Sequence, residues 1–268
     1  MHQTTSAGST FRASLEGYAR AGIRYVEITL PIIGDFLKTA SVADAKRIIA
    51  DLGLTAVSFG GVRGLAEPHA RRAQAIEELK RTAGLVAELG IDRLVCPCGT
   101  TEKFTSDDYA RGAENLREAG EIVKPLGVTA MLEFMRGSTF VGTLPTALRL
   151  TRQAAHPNVR PMFDCYHFWA GLSKFEDLEL VENGEIHHVH FQDVPDIPRE
   201  QLDSTTREIP GDGVSPLVRI LSKLAAKNYR GPVSVELFYS RLQQGDPYDV
   251  ALQIRRRAEP VLQQAGVL

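Results

Sequence analysis

Four side chains able to ligate a metal stand at matching places between residues 133 and 236 of this 268-residue chain: Glu133 in MLEF, Asp164 in MFD, His190 in VHF and Glu236 in VEL. Each closes a short apolar run of the kind that forms a buried strand. Ionisable groups set in such text are costly to bury unpaired, and one divalent cation offsets that cost for all four at once. Three carboxylates and one imidazole leave a net charge of about −1 around an M²⁺ ion. This hard, oxygen-rich set suits Mn²⁺ first, then Mg²⁺ or Co²⁺, and leaves Zn²⁺ open as a catalytic ion. Singly, each residue has a plainer reading. Either glutamate can turn to solvent at a strand end, Asp164 can cap the next helix, and His190 can be a satisfied core histidine. Recurrence on four successive strands favours the shared ion.

The neighbours of these residues also bear on chemistry. His187 and His188 adjoin His190, and strand alternation puts His188 on the same face one layer away, which favours a supporting or core role over a second metal. Tyr166, Phe168 and Trp169 surround His167 as the wall of a barrel mouth or a platform for a sugar face. Three cysteines, Cys96, Cys98 and Cys165, are too few for a disulfide framework. The CPC pair has no partner pair elsewhere, so core packing is expected for it.

The elements that must carry these groups repeat. A helical stretch, then Gly (once Asn), then a β-branched apolar run recurs at Gly22-IRYVEI, Gly53-LTAVSF, Gly90-IDRLVC, Gly127-VTAMLEF, Asn158-VRPMFD, Gly184-EIHHVHF and Gly231-PVSVEL. The Gly or Asn is read as the left-handed close of each helix. Six steps cover 209 residues, about 35 each, the length of one strand-and-helix unit. Strands apolar on both faces at that period mean a parallel sheet covered by helices. With one short strand within Met1–Thr5, before a helix over 11–21, the count reaches eight, and the expectation is a single α/β domain over 1–268, a (β/α)8 TIM barrel with a short first strand. A doubly wound open sheet is the rival. The longest irregular stretch, 193–213, follows the seventh strand and is a candidate lid.

Composition narrows the function. Hydrophobic residues make up 43% of the chain, enough for one large core, and 31 Lys+Arg stand against 33 Asp+Glu, so no basic excess points to nucleic acid. No secretory leader or long apolar span is read, so a cytoplasmic protein with no membrane partner is expected. A small neutral substrate fits, and a homo-oligomer is left open.

Five phrases in order, LEF (132–134), FDCYHFWAG (163–171), HVHFQD (188–193), RxxPGDGV (207–214) and VSVEL (233–237), resemble those of the xylose-isomerase-like TIM barrels, the sugar phosphate isomerase/epimerase superfamily. Within it they are most similar to 2-keto-myo-inositol isomerase and the ketose 3-epimerases. The resemblance spans roughly residues 10 to 265 and is strongest from 128 to 240. It implies that Glu133, Asp164, His190 and Glu236 hold one divalent metal ion, that Glu133 and Glu236 also move the proton, and that His167 and Arg207 contact substrate oxygens. Where the epimerases carry Asn-Arg-Phe-Glu after the first glutamate, this chain has Met135-Arg136-Gly137-Ser138, which leaves the substrate and the outer proton relay undetermined.

The expected function is therefore a divalent-metal-dependent sugar or keto-inositol isomerase or epimerase of carbohydrate metabolism, working by proton transfer through a metal-stabilised enediolate with Glu133 and Glu236 as catalytic pair. A dehydratase of the inosose or 3-dehydroshikimate type is the alternative, since the same enolate can expel a β-hydroxyl. An endonuclease IV-like nuclease fits less well, because no histidine stands between Arg71 and Ala155 and the net charge is −2. A non-catalytic sugar-binding subunit would not need four intact ligand positions.

Overall fold

A computed structural model describes residues 1–268, and the chain packs as two compact units, one of Met1–Val57, His190–Ala226 and Pro232–Leu268, the other of Ser58–Val189 and Lys227–Gly231. In the second unit the apolar phrases form parallel strands in the expected order. Phe59 pairs with Leu94, the strand Arg93–Cys98 lies in register with Thr129–Phe134 from Arg93↔Thr129 to Cys98↔Phe134, and Ala130 pairs with Val159. The stave beginning at Val159 breaks at Met162, whose N–H reaches Leu132 O at 3.1 Å, and resumes at Phe163, whose N–H reaches His188 O at 2.9 Å. Val95, Met131 and Met162 meet in a wholly buried cluster, so adjacent strands each contribute to one layer of the interior. The helices Arg72–Glu88, Ser106–Val123 and Leu144–Ala154 separate the strands and bury their apolar sides.

In the first unit the short opening strand is only two residues long. His2 bridges Glu27 in parallel fashion, its N–H bonds Val235 O at 3.1 Å, and the Glu27 N–H bonds Met1 O at 2.8 Å, so Met1 and His2 lie between the strands Tyr25–Thr29 and Val233–Ser234. The His2 Nδ1 then accepts the Thr4 N–H at 3.1 Å and turns the chain into a 3-10 helix over Gln3–Ser6, which is why the strand stops. Helix Phe11–Arg20 follows, one residue shorter than the 11–21 read from the sequence, and packs against Pro247–Gln264.

Three of the seven helix stops differ from the expectation: Gly184 (φ 68°) is left-handed but lies in a turn beyond the 3-10 helix Phe175–Leu180, which closes at Val181. The left-handed residue before the sixth strand is Ala155 (φ 49°) and not Asn158, and before the eighth it is Asn228 (φ 60°) and not Gly231. Asn158 serves instead as a clamp, its amide donating to Val128 O at 2.9 Å. Helix length, set by which side chains face the core, decided the stop ahead of the Gly and Asn signals.

Glycines inside two helices separate propensity from packing. An added Cβ at Gly84 meets nothing within 4 Å, whereas at Gly120 it runs into the His156 ring, which is fixed by Glu121 at 3.1 Å and by the Asn158 N–H at 3.1 Å. Gly84→Ala should stabilise by about 0.5–1 kcal/mol. Gly120→Ala should destabilise by about 1–3 kcal/mol despite the same gain in helix propensity. Urea denaturation of the two variants checks this, and equal shifts in one direction would refute the packing argument.

Candidate metal centre

Buried charge in the first unit collects on and just past its strands. Glu27, in Tyr25–Thr29, is wholly buried and accepts from His190 Nε2 at 3.3 Å, with His2 Nε2 at 3.6 Å. Glu236, two residues past Ser234, has His2 Nε2 at 3.4 Å from Oε1 and His190 Nδ1 at 3.5 Å from Oε2. The Arg207 guanidinium donates to Glu236 Oε2 through Nη1, reaches the Glu236 carbonyl at 3.4 Å, and lies 5.0 Å above the Phe238 ring. Arg207 is therefore a buried ion-pair partner of Glu236 and not a solvated loop arginine. His2, His190 and Glu236 each offer a ligand atom within 4.8 Å of the others. Burial pulls His2 below the usual histidine range, against the opposing pull of Glu27 and Glu236. With its Nδ1 accepting from Thr4, the single proton of this neutral ring sits on Nε2, where it points at carboxylate.

What holds Arg207 there is one side chain. Asp193, buried, accepts four backbone N–H groups: Val194 at 2.9 Å and Ser215 at 2.8 Å on Oδ1, Gly211 and Gly213 at 3.1 Å on Oδ2. Its own backbone forms a two-bond antiparallel bridge with Glu208. The long stretch 193–213 is thus tied at both ends and carries short 3-10 turns at Arg199–Gln201 and Ser204–Thr206. A cavity of about 550 Å³ opens beyond the C-terminal ends of the first two strands, walled by Phe11, Pro31, Ile32 and Phe36.

In the second unit Glu133 and Asp164 are both buried, one at the penultimate residue of its strand and the other at the end. Asp164 also caps helix Cys165–Ala170, its Oδ1 accepting the His167 N–H at 2.6 Å, so the capping role expected for it singly is realised. His167 Nδ1 accepts the Arg136 backbone N–H at 3.1 Å, which puts the proton of the neutral ring on Nε2 and makes that atom a donor. The Met135–Ser138 run that departs from the epimerase pattern thus contributes to the structure, because Arg136 fixes His167 and its guanidinium bonds Ala170 O at 3.2 Å. His188 is fully buried. Cys96 and Cys98 are buried as well, the first pushed up to about 12 by burial, the second well above the thiol range by burial and then by Glu67, to which its Sγ donates at 3.1 Å. Neither thiol is reactive at neutral pH.

Sequence reasoning missed Glu27, His2 and Asp193. Glu27 has the same signal as Glu236, an acid inside apolar strand text (IRYVEI beside VSVEL), and Asp193 closes the HVHFQD phrase.

Residues 15–258 match the family model for the xylose isomerase-like TIM barrel. The chain belongs to the xylose isomerase-like TIM barrel family. An inosose isomerase of Halalkalibacterium halodurans is 32% identical over 244 residues, covering 88% of this chain and 85% of the relative. A 3-dehydroshikimate dehydratase of Pseudomonas putida is 28% identical over 239 residues, covering 88% of this chain and 37% of that larger protein. The solved structure of IolI protein with a binding zinc atom superposes with a TM-score of 0.89 at 23% identity, over 99% of this chain and 97% of that one. The fold is accordingly the TIM barrel, with a short first strand, and the open doubly wound sheet is excluded. The relatives of this xylose isomerase-like barrel are enzymes, isomerases and dehydratases among them. No helix is long and apolar enough to cross a membrane.

His187, beside the fully buried His188, is lowered to about 4 by burial and then by Arg93 and Arg160. It is neutral when folded, while the unfolded chain takes up that proton near pH 6.5. The unfolded state therefore binds more protons between about pH 6.5 and about 4, and stability is lost as pH falls through that window. A His187→Asn variant should lose less stability between pH 7 and pH 5 than the parent. Urea midpoints at the two values test this, and identical losses would remove His187 from the account.

Proposed function

We propose that this protein, as a single barrel domain over 1–268, is a divalent-metal-dependent isomerase or epimerase of a keto-inositol or ketose, with Glu133, Asp164, His190 and Glu236 holding the ion. The observation that carries the reading is the paired fixing of Glu236, whose carboxylate receives Arg207 on one oxygen and faces His2 through the other. A solvent-facing structural carboxylate needs no such clamp, whereas a proton-transfer group must be held to a fraction of an ångström. The donor set fits a metal in kind: three carboxylates and one imidazole are hard, oxygen-rich ligands, and anions this deeply buried call for a compensating cation. The oxygen-rich ligands favour Mn²⁺. When bound, the ion supplies a Lewis acid that polarises a substrate carbonyl.

The chain's own residues do the rest. Glu236, ion-paired with Arg207, takes the proton from the carbon beside the carbonyl, and Glu133, entering the step as the carboxylic acid, returns one. Return to the opposite face of the same carbon gives an epimer, and return to the adjacent carbon gives an isomer. His167, with its proton on Nε2, donates to a substrate oxygen. Arg207, pinned through Asp193, keeps the base oriented. The inosose isomerase relatives, which match over 85% of their own length in the first case, support a keto-inositol as substrate.

A dehydratase is the second reading, favoured by the 28% identity to a 3-dehydroshikimate dehydratase. Incubation with keto-inositols and ketoses plus Mn²⁺ in deuterated water separates the two. Solvent deuterium is expected at a carbon next to the carbonyl without loss of water, and Glu236→Gln should slow incorporation by about 10²–10⁴-fold. Loss of water from the product, read by mass spectrometry at about one molecule per substrate turned over, would establish the lyase instead. Unchanged exchange in the Glu236→Gln variant would end the two-carboxylate mechanism.

A further inference from the structure

Outside the four proposed ligands, the buried carboxylate of Glu27 has no role in the function described above. Glu27 is wholly buried on the second strand, and it lies between two imidazoles, His190 Nε2 at 3.3 Å and His2 Nε2 at 3.6 Å. The two rings stand edge to face, with centroids 5.5 Å apart and an interplanar angle of 87°. The other nitrogen of His190, Nδ1, faces Glu236 Oε2 at 3.5 Å. A ring that gives its Nε2 proton to Glu27 presents a lone pair on Nδ1, toward Glu236. We propose that Glu27 is a positioning residue that locks His190 in the Nε2–H tautomer and so makes Nδ1 the metal-binding nitrogen.

The inference rests on His190 being a ligand, as proposed above. Its physical content is distinct, because it concerns a residue outside the proposed ligand set. A carboxylate on the far nitrogen of a ligating histidine orients the ring and raises its basicity, and loss of such a partner costs about 10–100-fold in metal affinity. His2 completes the arrangement. Its Nδ1 is occupied by the Thr4 N–H, so its Nε2–H is directed to Glu27 and Glu236 together and ties the position of one carboxylate to that of the other.

The test uses the full chain stripped of metal and titrated with Zn²⁺, a diamagnetic probe. Glu27→Ala should weaken Zn²⁺ binding by about 10–100-fold, and Glu27→Gln by less, because the amide oxygen still accepts the Nε2 proton. In the parent protein labelled with ¹⁵N-histidine and loaded with Zn²⁺, the His190 Nε2 should carry the proton and Nδ1 the metal-shifted resonance. A folded Glu27→Ala variant that binds Zn²⁺ as tightly as the parent, or a parent His190 protonated at Nδ1, overturns the proposal. If Glu27→Ala does not fold, Glu27→Gln and the spectrum of the parent decide it. Absence of stoichiometric Zn²⁺ binding by the parent would overturn the ligand set and this inference together, a result distinct from equal affinities.

Discussion

Deeply buried carboxylates are the constraint on which the rest of this structure depends. In the first unit Glu27 is shut away from water and Glu236 nearly so, and in the second Glu133 and Asp164 are equally enclosed. No anion stays charged in such surroundings unless donors or cations are arranged around it in advance. The chain meets that demand with Arg207 and His2 at Glu236, with His190 at Glu27, and with the first turn of a helix at Asp164. Each donor is in turn fixed by a further bond: His2 by Thr4, and His167 by the backbone of Arg136. The order of a site built this way lies as much in its supports as in its ligands.

Parallel strands supply the supports because they deliver every strand-end residue to one side of the sheet. Glu133, Asp164, His190 and Glu236 could be read from the sequence for that reason: once the 35-residue period fixed the strands, the residue at each end was a matter of counting. The barrel followed from the same period. Glu27 could have been found by the same count, but its strand lies in the half of the chain where no second motif drew notice. His2 could not, since two residues before a 3-10 turn give no periodicity to recognise. The helix stops at Ala155 and Asn228 escaped because a left-handed alanine has no sequence signature, and because Gly231 and Asn158 sat close enough to imitate the real stop.

Arg136 shows how a departure from a motif can still be interpretable. The run around it breaks the epimerase pattern at Met135, Gly137 and Ser138, yet the Arg136 backbone N–H is what sets the proton of His167, and a backbone contact places little demand on the neighbouring side chains. The cysteines of the CPC pair follow their reading directly. Their lack of a partner pair pointed to core packing, and both thiols are buried and protonated, Cys98 against the Glu67 carboxylate.

The Asp193 staple divides the stretch that follows it into two parts with different freedom. Four amide bonds and the bridge to Glu208 fix the flanks, including the place from which Arg207 departs, while the short turns between Pro195 and Thr206 are mostly exposed apart from the buried Leu202. The exposed members of the intervening dozen residues can change character over evolutionary time while the flanks that carry the guanidinium stay tied by Asp193, which leaves the rim of a barrel of this design open to variation.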